Sequence, residues 1–136
     1  MSWRESLIRI SNHEVETLQK RLGEIVQRRT MAEMRLTLLE AEVESERMQA
    51  RTAGGEIGWS LQGFLEGAKH RRALIELEVQ TIGREEAGAR DALGHAFETL
   101  KKFEHVAEIA RLAMIKEADK RESAAMDEMG LRAAAR

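Results

Sequence analysis

The residues of this chain that could do chemistry are few, and their spacing matches no catalytic or metal-binding pattern. Histidine can serve as a metal ligand or a general base, and the chain has four histidines, His13, His70, His95 and His105. None lies in an HExxH motif or at another ligand spacing. Disulfides and thiolate metal sites are excluded because the chain has no cysteine. We therefore expect no metal site and interpret the histidines as exposed helix residues.

The stretch GGEIGW, which begins at Gly54, is the other candidate for chemistry, since glycine-rich loops can hold phosphates. It lacks the lysine followed by serine or threonine that completes a phosphate loop. No Ser-His-Asp order stands out elsewhere, and a helical hairpin is expected to offer no concave pocket. We predict no catalytic residues, no cofactor and no enzymatic activity.

The composition indicates which elements must carry these residues. Aromatic residues make up only 4% of the chain and charged residues 34%, and proline is absent. Alanine, leucine, glutamate, arginine, lysine and methionine dominate, and these are strong helix formers. The sequence contains no run of about 18 apolar residues, the length that a membrane-spanning helix needs. The net charge of −2 gives no general attraction to nucleic acid. We expect long helices packed in a narrow seam.

Two segments carry the heptad pattern of a coiled coil, with apolar residues alternately three and four positions apart. In the first segment these are Ile8, Val15, Leu18, Leu22, Ile25, Ala32, Leu36, Leu39 and Val43. Ser11, Arg29 and Glu46 fill the remaining positions. In the second segment the pattern extends from Leu61 to Met114.

A glycine-rich break separates the two segments. Gly54, Gly55 and Gly58 each disfavour a helix by about 1 kcal/mol relative to alanine, so the first helix should end there. We predict an all-α fold of two long helices in an antiparallel coiled-coil hairpin. The turn is expected near Gly54–Ser60, and the C-terminal helix is expected to be the longer one.

The expected boundaries follow from this break. Helix 1 is expected at about 4–53, the turn at about 54–60 and helix 2 at about 61–132. Together they would form one domain over residues 1–136. The alternative is a nearly continuous helix that dimerises with another chain.

The charged residues in the seam predict how the helices align. If the numbers of facing residues sum to 118, large seam residues meet small ones and Glu46 faces Arg72. Arg29 can then reach Glu86 in the adjacent layer. A sum of 111 would instead place Ile25 on Glu86 and bury a lone charge against an aliphatic side chain. We therefore predict the alignment that sums to 118.

In that alignment the C-terminal tail, from about Glu117 onward, has no partner helix, and its seam positions become polar. If helical, this overhang extends roughly 30 Å. A helix without a partner is marginally stable in water, so the tail is either frayed or available to another protein. Lys116, Lys120 and Arg121 are candidate partner-binding residues on it.

Large apolar residues near the predicted turn are the other candidates for partner binding. Trp59, Phe64 and Leu65 lie where a hairpin has little core to offer, and tryptophan is a frequent interface anchor. Trp3, near the other end of the predicted hairpin, is a candidate for the same reason.

Two further groups are interpreted as ordinary surface or packing. Met31, Met34 and Leu38 lie off the seam and are expected to pack at its flank. The basic run KHRR, Lys69–Arg72, is expected to be a solvated face, with an acidic or phosphate-bearing partner as the alternative.

Two stretches of the chain resemble a known family. HEVETLQKRLGEIVQRR begins at His13, and LGHAFETLKKFEHVAEIARLAMIKEADKRESAAMDEM begins at Leu93. In their order, their distances and the two-helix layout over nearly the whole chain, they are similar to the FliJ family. Its members are small coiled-coil proteins of the bacterial flagellar type III export apparatus. The glycine-rich middle departs from the more charged, helical centre of that family.

The resemblance implies an antiparallel coiled coil like the central stalk of rotary ATPases, with no chemistry of its own. It implies three protein partners, namely the hexameric export ATPase, the membrane export-gate protein and export chaperones that are recycled through the chain. It further implies a monomer in the cytoplasm, at the cytoplasmic face of the inner-membrane export apparatus. A generic cytoplasmic coiled-coil scaffold that homodimerises is the leading alternative, and an enzyme is the third.

Overall fold

Two long helices make up the fold. The computed structural model describes residues 2–53 and 57–135, without the side chains of residues 57–59. Helix α1 is Trp3–Ala53 and helix α2 is Ile57–Ala134. They form an antiparallel helical hairpin in which α2 is the longer helix, as predicted.

The break between the helices falls within the glycine-rich stretch. Helix α1 ends at Ala53, directly before Gly54. Helix α2 begins at Ile57, earlier than the expected start at Leu61. The residues between the helices, Gly54 to Glu56, lie outside the described ranges.

The start of α1 is fixed by a reciprocal cap. The backbone N–H of Glu5 donates to Oγ of Ser2 at 3.3 Å, and the backbone N–H of Ser2 donates to Oε2 of Glu5 at 3.3 Å. This arrangement satisfies helix-terminal N–H groups that have no partner within the helix. The Ser-x-x-Glu pattern at the start of the sequence therefore sets where the helix begins.

Backbone contacts divide the chain into two compact units, and each contains a part of both helices. One unit comprises Met1–Glu16 and Gly94–Arg136, and the other is Thr17–Leu93. In the Thr17–Leu93 unit, Ile25, Ala32 and Ile82 form a buried cluster. The single domain expected over residues 1–136 stays a prediction.

The predicted seam is the buried face of both helices. The apolar seam residues of α1 from Ile8 to Val43 are all buried or half-buried. On α2 the same holds from Leu61 to Ala110 with the exception of Arg72, whereas every described residue after Ala110 is exposed. The heptad pattern therefore identified the buried positions as far as Ala110, whereas Met114, the last residue assigned to it, is 72% exposed.

The predicted alignment of the two helices is wrong. In the alignment that sums to 118, Arg35 faces Gly83, but its Nη2 lies 2.7 Å from Glu78. Arg72 pairs with Glu40 at 3.1 Å, not with Glu46. Among the described residues of the Thr17–Leu93 unit, five ion pairs join the helices, and the residue numbers of each pair sum to between 112 and 115.

The buried cluster also departs from the predicted alignment. The 118 alignment places Ile25 opposite Leu93 and Ile82 opposite Leu36, too far apart along the seam to share a cluster. Ile25 and Ile82 nevertheless belong to one buried cluster, and Val79 and Ala89 pack against it. The packing thus lies closer to the rejected alternative that sums to 111.

An alignment close to the rejected one is tolerated because Glu86, the charge that it places in the seam, forms ion pairs. Glu86 is bound by Arg29 and by Arg90, at 2.9 Å and 3.1 Å. Arg72 is exposed and binds Glu40 and Glu76. Paired charges avoid most of the cost that an isolated buried charge would carry.

Candidate partner-binding surfaces

The described residues offer little for chemistry. In the described ranges, no group of three or more histidines and carboxylates could hold a metal ion. Within the same ranges, neither helix has a stretch that is long and apolar enough to cross a membrane. The exposed faces of the two helices are therefore the candidate functional surfaces.

An open groove lies between the helices of the Thr17–Leu93 unit. Its volume is about 440 Å³, and apolar side chains of Leu39, Val43, Leu65 and Ala68 contribute to its lining. Its polar lining consists of glutamate, arginine and lysine. A concave site thus exists where none was expected, but it contains no serine, histidine or cysteine that could act as a nucleophile or base beside those charges.

A second row of mostly apolar residues runs along α1 outside the seam. It consists of Met31, Met34, Leu38, Ala41, Ser45 and Met48, which we call the outer stripe, and all six residues are exposed. Met31, Met34 and Leu38 are 58%, 59% and 62% exposed. Their alternating spacing of three and four keeps them on one face, as in the seam of a coiled coil. The expectation that Met31, Met34 and Leu38 pack at the flank of the seam is wrong.

Helix α2 adds two exposed leucines beside the outer stripe. Leu74 lies one helical turn from both Arg71 and Glu78, so it shares their face of the helix. Leu38 lies one turn from Arg35 in the same way. Since Arg35 binds Glu78 across the helices, Leu38 and Leu74 border one row of ion pairs. Leu77 lies three residues after Leu74, which places it next to Leu74 on the surface of α2, and it is also exposed.

We call this combined area the lateral surface: the outer stripe together with Leu74 and Leu77. Its row of ion pairs contains two close contacts, Arg28–Glu85 and Arg35–Glu78, and one long contact, Arg71–Glu42. Nη1 of Arg28 lies 2.6 Å from Glu85, and Arg71 lies 3.9 Å from Glu42. The hydrogen bond between Arg35 and Glu78 raises the pKa of the Arg35 guanidinium and lowers the pKa of the Glu78 carboxyl.

The lateral surface has the composition of a protein-binding site. Apolar rows that stay exposed on a folded protein and are bordered by charges mark sites of interaction. A heptad-spaced row is the pattern with which one helix packs against another helix. The surface therefore fits a helix of a partner protein.

The candidates near the turn are only partly described. Phe64 is half-buried, and the guanidinium of Arg71 lies 5.7 Å from the centre of its ring. Leu65 is half-buried and lines the groove. The side chain of Trp59 lies outside the described residues.

The candidates in the other unit are exposed. Trp3 is 61% exposed, and the Arg4 guanidinium lies 4.7 Å from the centre of its ring. Lys116, Lys120 and Arg121 are exposed on the tail, where Arg121 lies 3.6 Å from Glu117. All four side chains are accessible to a partner.

The tail itself is helical and fully exposed. Helix α2 continues to Ala134, and every described residue after Ala110 is exposed. Its large apolar side chains include Met114, Met126, Met129 and Leu131. This agrees with the prediction that the tail has no partner helix.

Sequence reasoning missed the lateral surface although its signal is present. The spacing of Met31, Met34, Leu38, Ala41, Ser45 and Met48 is as regular as that of the seam. A second heptad row on the same helix could have identified an additional packing face.

Comparison with known proteins adds an independent line of evidence. Residues 5–136 match the sequence family described as "Flagellar FliJ protein". The chain is 56% identical over 135 residues to the "Flagellar FliJ protein" of Caulobacter vibrioides strain NA1000 / CB15N, a match covering 98% of this chain and 95% of the relative. The same identity and coverage hold for the protein of that name from strain ATCC 19089 / CIP 103742 / CB 15. No solved structure gives a significant match.

Proposed function

Because the chain belongs to the flagellar FliJ family, and so to the flagellar export apparatus, we propose that it acts there as a non-enzymatic adaptor and stalk. In this role it links the export ATPase ring to the membrane export gate and recycles export chaperones. Its place is the cytoplasm, at the inner-membrane face of the export apparatus.

The observation that carries this proposal is the contrast between the seam and the surface. The seam residues hold the two helices together, while the lateral surface and the tail expose apolar side chains in the described structure. A hairpin whose exposed faces are apolar at heptad spacing is suited to binding other proteins.

We assign the gate to the lateral surface and the neighbouring turn. The outer stripe, Leu74 and Leu77 supply apolar contact area, and Phe64 and Leu65 extend it toward the turn. Trp59, five residues before Phe64 in the sequence, stays the predicted anchor. A helix or groove of the gate protein that carries its own apolar row would cover these side chains.

We assign the ATPase ring to the other unit. Trp3 supplies an exposed aromatic ring, and Lys116, Lys120 and Arg121 supply positive charge on the exposed tail. Acidic groups lining the ring would attract these side chains and orient the tail.

A pull-down from the native bacterium tests the proposal. The intact chain is the first bait, and a chain with Leu38→Glu and Leu77→Glu is the matched second bait, called the control below. Bound proteins are identified by mass spectrometry. The proposal expects the export ATPase, the gate protein and export chaperones with the intact chain, and loss of the gate protein alone with the control. Absence of all three from the intact bait would contradict the proposal.

The oligomeric state is tested by solution mass. An adaptor hairpin is a monomer of 15.4 kDa. Light scattering that gives twice this mass at micromolar concentration would instead favour the homodimerising scaffold.

A further inference from the structure

Every methionine side chain in the described part of the protein is exposed. Met31, Met34, Met48, Met114, Met126 and Met129 are between 58% and 72% exposed. Methionine is an apolar residue that cores use readily to fill gaps. Here none of the six is buried in the seam, so a change in their polarity would leave the packing of the hairpin intact.

Three of these methionines lie on the outer stripe. Met31, Met34 and Met48 share that face with Leu38, at heptad spacing along α1. An exposed thioether is open to oxidants. The chain has no cysteine, so methionine is its only sulfur-containing residue.

We propose that Met31, Met34 and Met48 form a modification site, at which reversible oxidation to methionine sulfoxide by hydrogen peroxide turns off partner binding without unfolding the hairpin. The effect on binding rests on the function proposed above, with the gate protein bound at the lateral surface. The oxidation itself depends only on the exposure of the three side chains.

The reaction balances with hydrogen peroxide as the oxidant. The thioether sulfur attacks one peroxide oxygen, the O–O bond breaks, and a sulfur–oxygen bond forms. The second oxygen leaves as water after taking up the proton that the oxygen now bonded to sulfur gives up. Sulfur loses two electrons, and the peroxide gains them. Thiol-dependent methionine sulfoxide reductases reverse the change, with one enzyme for each sulfoxide epimer.

Oxidation changes what the outer stripe can bind. A sulfoxide oxygen is a strong hydrogen-bond acceptor, and burying it against apolar side chains without a donor is unfavourable. Up to three such oxygens would point into the contact with the partner. The seam residues Ile25, Ala32 and Ile82 would be unaffected, because they face the other helix.

The chain offers a matched pair of variants. The stripe variant carries Met31→Leu, Met34→Leu and Met48→Leu. The tail variant carries Met114→Leu, Met126→Leu and Met129→Leu. Each removes three exposed thioethers and keeps an apolar side chain of similar size. Peptide mass mapping, with a gain of about 16 Da per sulfoxide, shows which methionines react.

The test measures binding of the full chain to the purified cytoplasmic part of the gate protein from the same bacterium, before and after the chain alone is treated with peroxide. We expect oxidised wild-type chain to bind about tenfold more weakly or worse, the scale of losing one interface anchor. Its thermal melt should be unchanged, and reductase treatment should restore binding. The stripe variant should keep its affinity after oxidation, and the tail variant should lose it as the wild type does.

Every other outcome contradicts one part of the proposal: the switch, its place on the outer stripe, the intact fold or the gate contact. Equal affinity of reduced and oxidised wild-type chain overturns the switch and leaves the proposed function standing. Protection by the tail variant, or by both variants, overturns the assignment to the outer stripe, and a lowered melting temperature after oxidation overturns the claim that the hairpin stays folded. If reduced wild-type chain does not bind the gate protein, the proposed gate contact fails and the switch fails with it.

Discussion

Arg29 of α1 donates a hydrogen bond from Nη2 to Oε1 of Glu86 of α2 at 3.2 Å, across the seam of the Thr17–Leu93 unit. Nε of Arg29 is 2.9 Å from the other carboxylate oxygen but is not aligned to donate to it. Only 12% of the Glu86 side chain is exposed. A carboxylate so placed needs its arginine partners, which makes this contact a sensitive point of the fold.

The first prediction concerns this pair. Replacing Arg29 by methionine leaves Glu86 in the seam with Arg90 as its remaining partner. Replacing both residues, with Glu86→Leu, removes the charge. The single variant should therefore melt at a lower temperature than the double variant, because a half-buried carboxylate that has lost one of its arginine partners is less favourable than an apolar pair. Thermal unfolding followed by circular dichroism measures the difference.

Arg28→Met is the control for that comparison. Arg28 binds Glu85 across the same helices, but both side chains are about half exposed. The free energy of unfolding should change by about 0.5 kcal/mol or less. Independent, additive effects of Arg29→Met and Glu86→Leu would count against the coupling.

The second prediction is a dependence of stability on acid. Burial opposes ionisation of Glu86, but hydrogen bonds from Arg90 and Arg29 outweigh it, so the pKa of this carboxyl lies below its ordinary value of 4.5. A lowered pKa in the folded state stabilises the fold above the unfolded-state pKa. That contribution is lost as the pH falls through the folded-state value. The melting temperature should fall as the pH decreases below 4.5, the ordinary carboxyl pKa.

Two variants separate the contribution of Glu86 to this acid dependence from the contributions of other carboxyl groups. Glu86→Gln should flatten the acid side of the stability profile more than Glu108→Gln does. Glu108 also has a lowered pKa, through its hydrogen bond with Arg111, but its side chain is 52% exposed and solvent screens the pair. Equal flattening by both variants would show that the seam position of Glu86 has no special effect.

The third prediction places the least stable part of the chain in the tail. Every described residue after Ala110 is exposed, whereas the seam residues before it are mostly buried or half-buried. Local unfolding is therefore easiest there. Amide hydrogen exchange should be fastest from about Glu117 onward and slow between Leu93 and Phe103. Uniform protection as far as Ala134 would mean that another molecule, such as a second copy, covers the tail.

The fourth prediction concerns Trp59. If this side chain anchors the gate protein, Trp59→Ala should weaken binding by about 2 kcal/mol or more. The free energy of unfolding should change by no more than about 0.5 kcal/mol, as for a surface position. Thermal melts and binding titrations on the one variant decide between the roles. A large loss of stability with unchanged binding would show that the ring only packs the end of the hairpin.

The sequence was sufficient to predict the buried face of each helix. Heptad spacing depends only on helix geometry, so Ile25, Ala32 and Leu39 could be assigned to the seam without knowledge of their partners. The same spacing placed the end of the apolar seam at Met114, about one helical turn beyond Ala110, the last described residue that is not exposed. The break before Gly54 followed from the low helix propensity of glycine.

The alignment of the helices could not be predicted in the same way. The choice depended on the cost of placing Glu86 in the seam, and that cost depends on which arginines can reach it. Arginine side chains are long enough to bridge neighbouring layers, so Arg29 and Arg90 together make the position acceptable. Heptad assignment does not contain that information.

The lateral surface was visible in the sequence but was misinterpreted. The regular spacing of Met31, Met34 and Leu38 shows that they share a face. Whether a face is covered depends on what packs outside the hairpin, and a heptad pattern gives no information on this. The structure shows these side chains exposed, which made them candidates for partner binding.

The central claim is that the chain serves flagellar protein export by binding partners through its exposed faces. The most direct measurement is the amount of flagellar filament protein secreted by a strain that lacks this chain and carries a plasmid copy. Leu38→Glu places a charge in the outer stripe, and Thr37→Glu places the same charge on the adjacent, exposed position as a control. Both variants should change the free energy of unfolding by no more than about 0.5 kcal/mol. The account predicts wild-type secretion with Thr37→Glu and a loss of about tenfold or more with Leu38→Glu; full secretion with a folded Leu38→Glu chain would contradict it.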